Sequence, residues 1–221
     1  AFLFAHDPDA FNRWDAGQQL ATQVMLGLVE SLAAGRDPGP VEPLLIDAFR
    51  HLVRGEWDDL SYLALLLTLP SEDYVNAAMK TIDPDAVHAA REWVKREIAL
   101  ALEDDLRRLY ETHHRDEFDR FDAESVGRRR LKNTCLAYLS ELETEAAYAL
   151  ATRQFRESRT MTDRMAALSA IVNSQHPEKE ASLRAFYEQW KDEALVVGKW
   201  FTLQATCQLP GTLERVRALL T

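Results

Sequence analysis

Cysteine is scarce in this chain: only Cys135 and Cys207 occur among 221 residues. They lie far apart, each in an apolar helical setting, so neither a disulfide framework nor a C-x-x-C metal motif is available. This usage fits a reducing compartment, and the expected location is cytoplasmic. Long apolar runs are missing too, with no stretch of about 18 residues that could cross a bilayer. The opening Ala1-Phe2-Leu3-Phe4-Ala5-His6-Asp7-Pro8 has neither the basic leader nor the apolar stretch of a signal peptide. It also lacks an initiator methionine, which points to a segment of a longer chain. Positive charge is in deficit, with 26 Lys and Arg against 36 Asp and Glu and a formal net charge of −10. A nucleic-acid backbone or an anionic membrane would be repelled on average, so neither is expected as a partner. The one dense basic run, Gly127-Arg128-Arg129-Arg130-Leu131-Lys132, is too short to reverse that balance and reads as the solvated face of one helix.

What is present is helical punctuation. Hydrophobic residues make up 47% and charged residues 28%, as in an ordinary globular domain, and a chain of this length can bury roughly 70% of its unfolded surface. After Asp7-Pro8-Asp9, the positions Phe11, Leu20, Val24, Leu28 and Leu32 keep helical spacing until Gly35-Arg36-Asp37-Pro38-Gly39-Pro40 stops them. Shorter helices follow over Glu42 to Val53 and Asp58 to Leu69, and Ser71 caps another, with Glu72 and Asp73 at the positive end of its dipole. Asp83-Pro84-Asp85 sets a capping carboxylate before a proline at the first helical position, and the stripe Val87, Ala90, Val94, Ile98, Leu102, Leu106, Leu109 predicts one long helix. Beyond a polar stretch from His113 to Asp122, periodic segments run through Leu131 to Leu139, Leu142 to Phe155, Met165 to Val172, Leu183 to Trp190 and Leu195 to Cys207. Thr160-Met161-Thr162-Asp163 has capping-box spacing and His176-Pro177-Glu178 resembles a helix entry. Pro210-Gly211-Thr212 opens a last apolar-striped helix that meets no glycine or proline stop, so apolar surface is expected there. Strand-like alternation is absent. The expected fold is all-α, antiparallel helix pairs stacked as a curved superhelix of the HEAT or armadillo type, treated as a single helical domain over residues 1–221. No fixed-period repeat supports it in the sequence.

The residue patterns that carry chemistry are incomplete. A zinc peptidase needs two imidazoles one helical turn apart with a carboxylate between them, H-E-x-x-H, and no such string occurs. His113 with Glu117, or His88 with Glu92, place ligand types at i,i+4, a common surface pairing. The cluster His113, His114, Asp116, Glu117, Asp119, Asp122, Glu124 lacks the glycine and oxygen ladder of a calcium loop and the paired Glu-x-x-His helices of a di-iron bundle, and reads as a hydrated link. His6-Asp7 is followed by proline and lacks the partners of a metal-phosphohydrolase dyad. No nucleophile elbow, phosphate-binding loop or dinucleotide fingerprint appears. The expected catalytic and metal residues in this chain are therefore none. Two helices do gather polar and aromatic side chains: Arg13, Trp14, Asp15 and Gln18 in one, Lys199, Trp200 and Gln204 in the other. They read either as core anchors with satisfied glutamines or as an interdomain docking surface.

At these residues the chain resembles the C-terminal helical domain of bacterial aminopeptidase N, an alanyl aminopeptidase family of the M1 zinc metallopeptidases. The resemblance runs in order through Phe11-Asn12-Arg13-Trp14-Asp15-Ala16, Leu67-Thr68-Leu69-Pro70-Ser71-Glu72, Ile82-Asp83-Pro84, Arg130-Leu131-Lys132-Asn133 with Cys135-Leu136, Met161-Thr162-Asp163, and Lys199-Trp200-Phe201 with Gln204-Ala205. It implies a parent enzyme that removes N-terminal residues from peptides with zinc held by H-E-x-x-H and a Gly-x-Met-Glu-Asn segment for the free amine, neither of which is in this chain. For this domain it implies a non-catalytic lid of stacked helices over the catalytic domain that admits peptides and excludes folded proteins. No cofactor is expected here, zinc is expected in the parent, and the partners implied are the catalytic domain and peptides. The resemblance also marks the chain as a truncated fragment without its last helices, and the edge so exposed leads us to expect weak homodimerisation of the fragment. The rival reading is a free-standing helical-repeat scaffold whose concave face binds a protein.

Overall fold

Asp9 shows how locally this chain declares its helices: its carboxylate accepts the amide hydrogen of Asn12 at 2.8 Å and starts α2, Ala10–Ala33. In the computed structural model, which describes residues 1–115 and 120–220, every regular element among the described residues is helical. Thirteen α-helices appear among them. Before α2 stands α1, Phe2–His6, and after it come α3, Pro43–Arg54, α4, Leu60–Leu66, and α5, Glu72–Asn76. Then follow α6, Pro84–Ala101, α7, Glu103–His113, and α8, Ala123–Leu139. A 3-10 turn at Ser140–Leu142 leads to α9, Glu145–Glu157, α10, Met161–Val172, α11, Lys179–Trp190, α12, Ala194–Ala205, and α13, Thr212–Leu219. The remaining caps follow the same side-chain logic. Asp59 accepts from Tyr62, Ser71 from Tyr74, Asp83 from Ala86, Thr144 from Ala147 and Thr160 from Asp163. Pro84 occupies the first turn of α6, where its missing N–H is harmless. Gly211 sits at φ +88 and ψ 2 after Pro210, the dihedrals of the third residue of a type II turn.

The described residues divide into two compact units, residues 1–114 with 121–138, and residues 115 and 120 with 139–220. In the first, α2 packs along α6, α1 lies on α2 and α3, and α3 touches α7. Met25, Leu45, Leu52, Leu63, Val94, Ile98 and Leu131 are almost wholly shielded from solvent, each worth about 1.5–3 kcal/mol of burial. The Phe4 ring lies edge-on to Phe49 at 5.7 Å and Phe49 to Tyr138 at 6.4 Å. Tyr138 then donates its hydroxyl hydrogen to the Leu67 carbonyl at 2.6 Å in a buried setting. In the second unit, α9 to α13 pack in succession, each on the next, around Leu168, Val172, Leu183, Phe186 and Cys207. That is the contact pattern of repeat architectures, in which each unit touches its neighbours.

Three readings of the sequence change here. The long helix expected from Val87 through Leu109 is broken at Leu102, whose φ of −126 and ψ of 18 leave the helical region. The apolar stripe continues across the break, since Leu102 and Leu106 are both buried, and the cause is tertiary. Arg108 on α7 donates to the Val53 carbonyl at the end of α3, and Asp105 accepts from Arg54 at 2.8 Å. The basic run is not a solvated face: Arg128 is 5% and Lys132 2% exposed. A β-carbon on Gly127 would meet the Ser61 backbone nitrogen at 3.1 Å, so α8 is pressed against the start of α4. Buried positions 125, 127, 128, 131, 132, 135, 136, 138 and 139 then enclose α8 on more than one side, and Arg128 pairs with Glu124. The opening residues, left without an element by the sequence pattern, form α1.

Candidate functional site

The first polar and aromatic group stands on the opening turns of α2. Gln18 is buried and its amide donates to the Thr68 carbonyl at 3.0 Å, tying α2 to the end of α4. Asp15 accepts a hydrogen bond from Gln19 at 2.6 Å, and the Trp14 ring lies 6.0 Å from that of Phe11. One turn on from Arg13, Gly17 provides a seat for Phe4, whose ring carbon is 2.4 Å from where a β-carbon would stand. Arg13 projects differently, over the indole of Trp57 at 5.3 Å, into a cleft of about 550 Å³ lined also by His6, His51, Glu56, Asp58, Asp59 and Tyr62. The Tyr62 hydroxyl donates to the Ala10 carbonyl at 2.7 Å. Burial raises its pKa, the Arg13 cation pulls against that, and Asp9 and Asp7 add to it.

The second group lies on α12 in the other unit. The Trp200 indole donates to the Leu183 carbonyl at 2.9 Å, and its ring packs 4.9 Å from Tyr187. Gln204, 2% exposed, donates to the Trp200 carbonyl at 3.3 Å and accepts from Arg215 at 3.3 Å. Arg215 also pairs with Glu180, and this hydrogen bond holds the Glu180 carboxyl below its ordinary range. Lys199 is exposed. Both glutamines thus satisfy backbone carbonyls, the Trp200 indole ties α12 to α11, and Trp14 packs on Phe11 of its own helix. The seven residues are divided between the two units.

Acid–base pairs in the remaining polar clusters are engaged in structure. The His88 ring binds Glu72 at 2.8 Å rather than Glu92, which pairs with Arg91 at 3.2 Å. His114 stacks on Tyr110 at 5.4 Å, while Asp116, Glu117 and Asp119 lie outside the described residues. His6 and His51 approach with ring centroids 4.5 Å apart, and Asp7 accepts from the Asp9 amide at 2.8 Å. Among the described residues no three His, Cys, Asp or Glu side chains gather as metal ligands. In a cleft of about 460 Å³ on the second unit, His176 lies 3.0 Å from the Thr152 hydroxyl, the spacing of a nucleophile and base. The Glu178 amide, however, donates to Nδ1 of His176 at 3.0 Å, so the ring hydrogen is on Nε2. That nitrogen faces both Thr152 and the Tyr148 carbonyl at 3.2 Å as a donor and cannot take the threonine proton. His176 serves as the entry of α11, as the His-Pro-Glu spacing suggests. The Arg13 cleft was not legible in the sequence, because no spacing links position 13 with positions 51 and 57.

The chain matches, over residues 1–221, the family described as "Domain of unknown function (DUF3458_C) ARM repeats". It is 38% identical over 220 residues to aminopeptidase N of Escherichia coli (strain K12), covering 99% of this chain and 25% of that protein. Aminopeptidase N of Caulobacter vibrioides is likewise 38% identical over 218 residues, covering 98% of this chain and 25% of its own length. A crystal structure of Legionella pneumophila aminopeptidase A in complex with aspartic acid superposes with a TM-score of 0.82 at 26% identity. That superposition covers 99% of this chain and 26% of the other. The chain therefore spans about a quarter of the length of these relatives. Its helices, their nearest-neighbour packing and the match along its whole length place the chain in the DUF3458_C family of ARM repeats, the C-terminal helical domain of bacterial aminopeptidase N.

Proposed function

We propose that this chain is the non-catalytic helical domain of an M1 zinc aminopeptidase, packing over the catalytic domain and restricting access so that peptides enter and folded proteins do not. The observation that carries this reading is the match of nearly the whole chain to one quarter of aminopeptidase N. The reaction then belongs to the remaining polypeptide, which removes N-terminal residues from peptides. The residues described here do not fit a zinc centre: His88 is engaged by Glu72, His176 by Glu178, and H-E-x-x-H is missing from the sequence. Zinc would be held by that other stretch of chain, and this domain would contribute a wall. Helices suit the task because each buries its apolar stripe on the next, leaving a stiff surface in place of mobile loops. The same reading places the parent in the cytoplasm, consistent with buried, free Cys135 and Cys207, and gives no role to nucleic acid or membrane. No described helix is long and apolar enough to cross a bilayer.

Two measurements test this. The purified chain, incubated with zinc and an alanyl chromogenic substrate, is expected to release no chromophore, and hydrolysis abolished by a chelator would overturn the non-catalytic assignment. The encoding reading frame is expected to carry H-E-x-x-H upstream, and a frame lacking it would favour a free-standing protein-binding scaffold instead.

A further inference from the structure

The first unit carries a cation whose surroundings are built but whose hydrogen bonds are not made. Arg13 has five N–H donors in a planar fork, and none meets an acceptor among the described residues. Its Nε is shielded from solvent and unpartnered, and its guanidinium carbon lies over the Trp57 ring, 5.3 Å from the centroid. Trp57 is itself fixed, donating Nε1–H to the Leu52 carbonyl at 2.9 Å and meeting Tyr62 edge-on at 6.0 Å. Three of the acids nearby already accept a backbone hydrogen bond, and Glu56 and Asp58, exposed in the same cleft, make none with Arg13. Asp7 accepts from the Asp9 amide, Asp9 from Asn12, and Asp59 from Tyr62. A guanidinium held over an aromatic ring with its outer N–H groups unpaired suits bidentate recognition of a planar anion.

We propose that the cleft of about 550 Å³ beside Arg13 is a carboxylate-binding site, with the guanidinium as its anchor and the Trp57 face as its floor. Bidentate binding through the two terminal Nη groups would give the fork the charge-assisted partners it lacks. A carboxylate is preferred to a phosphate because Glu56 and Asp58 stand exposed at the rim and repel a second negative charge more than a first. His6 and His51, 4.5 Å apart at the same cleft, offer N–H donors to whatever projects from the bound group. The carboxylate has two sources, the free α-carboxylate of a peptide or the side chain of an acidic residue. The site is independent of the aminopeptidase reading, since it uses residues of one unit alone.

The test is a titration of the isotopically labelled 221-residue chain with acetate at constant ionic strength, chloride as the counter-series, following the arginine Nε–H and tryptophan indole resonances. One Nε–H signal, identified by its loss in Arg13→Lys, and the indole signal lost in Trp57→Phe are expected to shift saturably with acetate and not with chloride. In Arg13→Lys the Trp57 response is expected at about tenfold higher acetate, because lysine lacks the planar fork. Two peptides then separate the sources: one with a free C-terminus and no acidic side chain, one amidated at the C-terminus and carrying a single glutamate. The peptide that saturates at the lower concentration names the source. Equal shifts with chloride, a linear response without saturation, or an unchanged response in a folded Arg13→Lys would each overturn the proposal. The wild-type saturation curve decides by itself if a variant fails to fold.

Discussion

Gly17 and Gly27 lie on the same helix, yet they predict opposite outcomes for the same substitution. A methyl at Gly17 would enter the Phe4 ring, with contacts at 2.4 and 2.5 Å, and Phe4 is 1% exposed with α1 depending on it. Overpacking of this kind costs about 1–3 kcal/mol, while alanine returns about 0.5–1 kcal/mol of helix propensity, so Gly17→Ala is expected to destabilise by up to about 2.5 kcal/mol. At Gly27 nothing lies within 4 Å of the added carbon, and Gly27→Ala should stabilise by about 0.5–1 kcal/mol. Urea unfolding of the two variants checks the pair, and equal signs would refute the packing account of Gly17. Cys135 gives a pH prediction. Burial pushes its thiol from 9.0 to about 12, with the Arg108 charge pulling the other way. The unfolded chain releases this proton near 9.0 while the folded chain keeps it. The contribution is therefore whole below that pH and erodes as pH rises toward 12, by about 1.4 kcal/mol per pH unit at most. Cys135→Ala is expected to be less stable than the parent at about pH 8 and to close part of that gap at about pH 10. A gap independent of pH would refute it.

At the scale of elements, what could be read from the sequence was what neighbours within one turn decide. Asp9, Ser71, Asp83 and Thr160 announce their helices because each carboxylate or hydroxyl reaches an amide three residues on. Asp83→Ala is thus expected to lower stability by about 1 kcal/mol through the lost cap on α6, readable as a shift in thermal midpoint, and an unchanged midpoint would count against the cap. What distant partners decide was not legible. The break at Leu102 answers to Val53 and Arg54 on α3, and nothing in the stripe from Val87 to Leu109 encodes that. Arg128 and Lys132 belong to a run that looks solvated by composition, and only the close approach at Gly127 reveals α8 as enclosed. Of the two polar groups, local spacing found the residues and tertiary structure supplied their roles. Gln18 became a bridge to the Thr68 carbonyl and Gln204 an acceptor for Arg215, while Arg13 turned toward a tryptophan that no motif joins to it.

At the scale of the whole molecule, exposed apolar side chains occur along the chain, and α12 and α13 carry several of them. Leu195 is 88%, Phe201 42%, Leu213 58% and Leu220 83% exposed, and Lys199 is the single charge on α12. Exposed apolar side chains on neighbouring helices favour association. Sedimentation is expected to show weak, concentration-dependent dimerisation that Leu195→Glu together with Phe201→Glu abolishes, and a strictly monomeric parent chain would set this expectation aside. The division of the chain has a practical meaning too. Leu168, Val172, Leu183, Phe186 and Cys207 all fall after Tyr138, so the later unit holds the whole of that cluster when its coding region is cloned by itself. A polypeptide beginning at Leu139 becomes small enough for full magnetic-resonance assignment, and segmental labelling can carry those assignments back into the intact molecule.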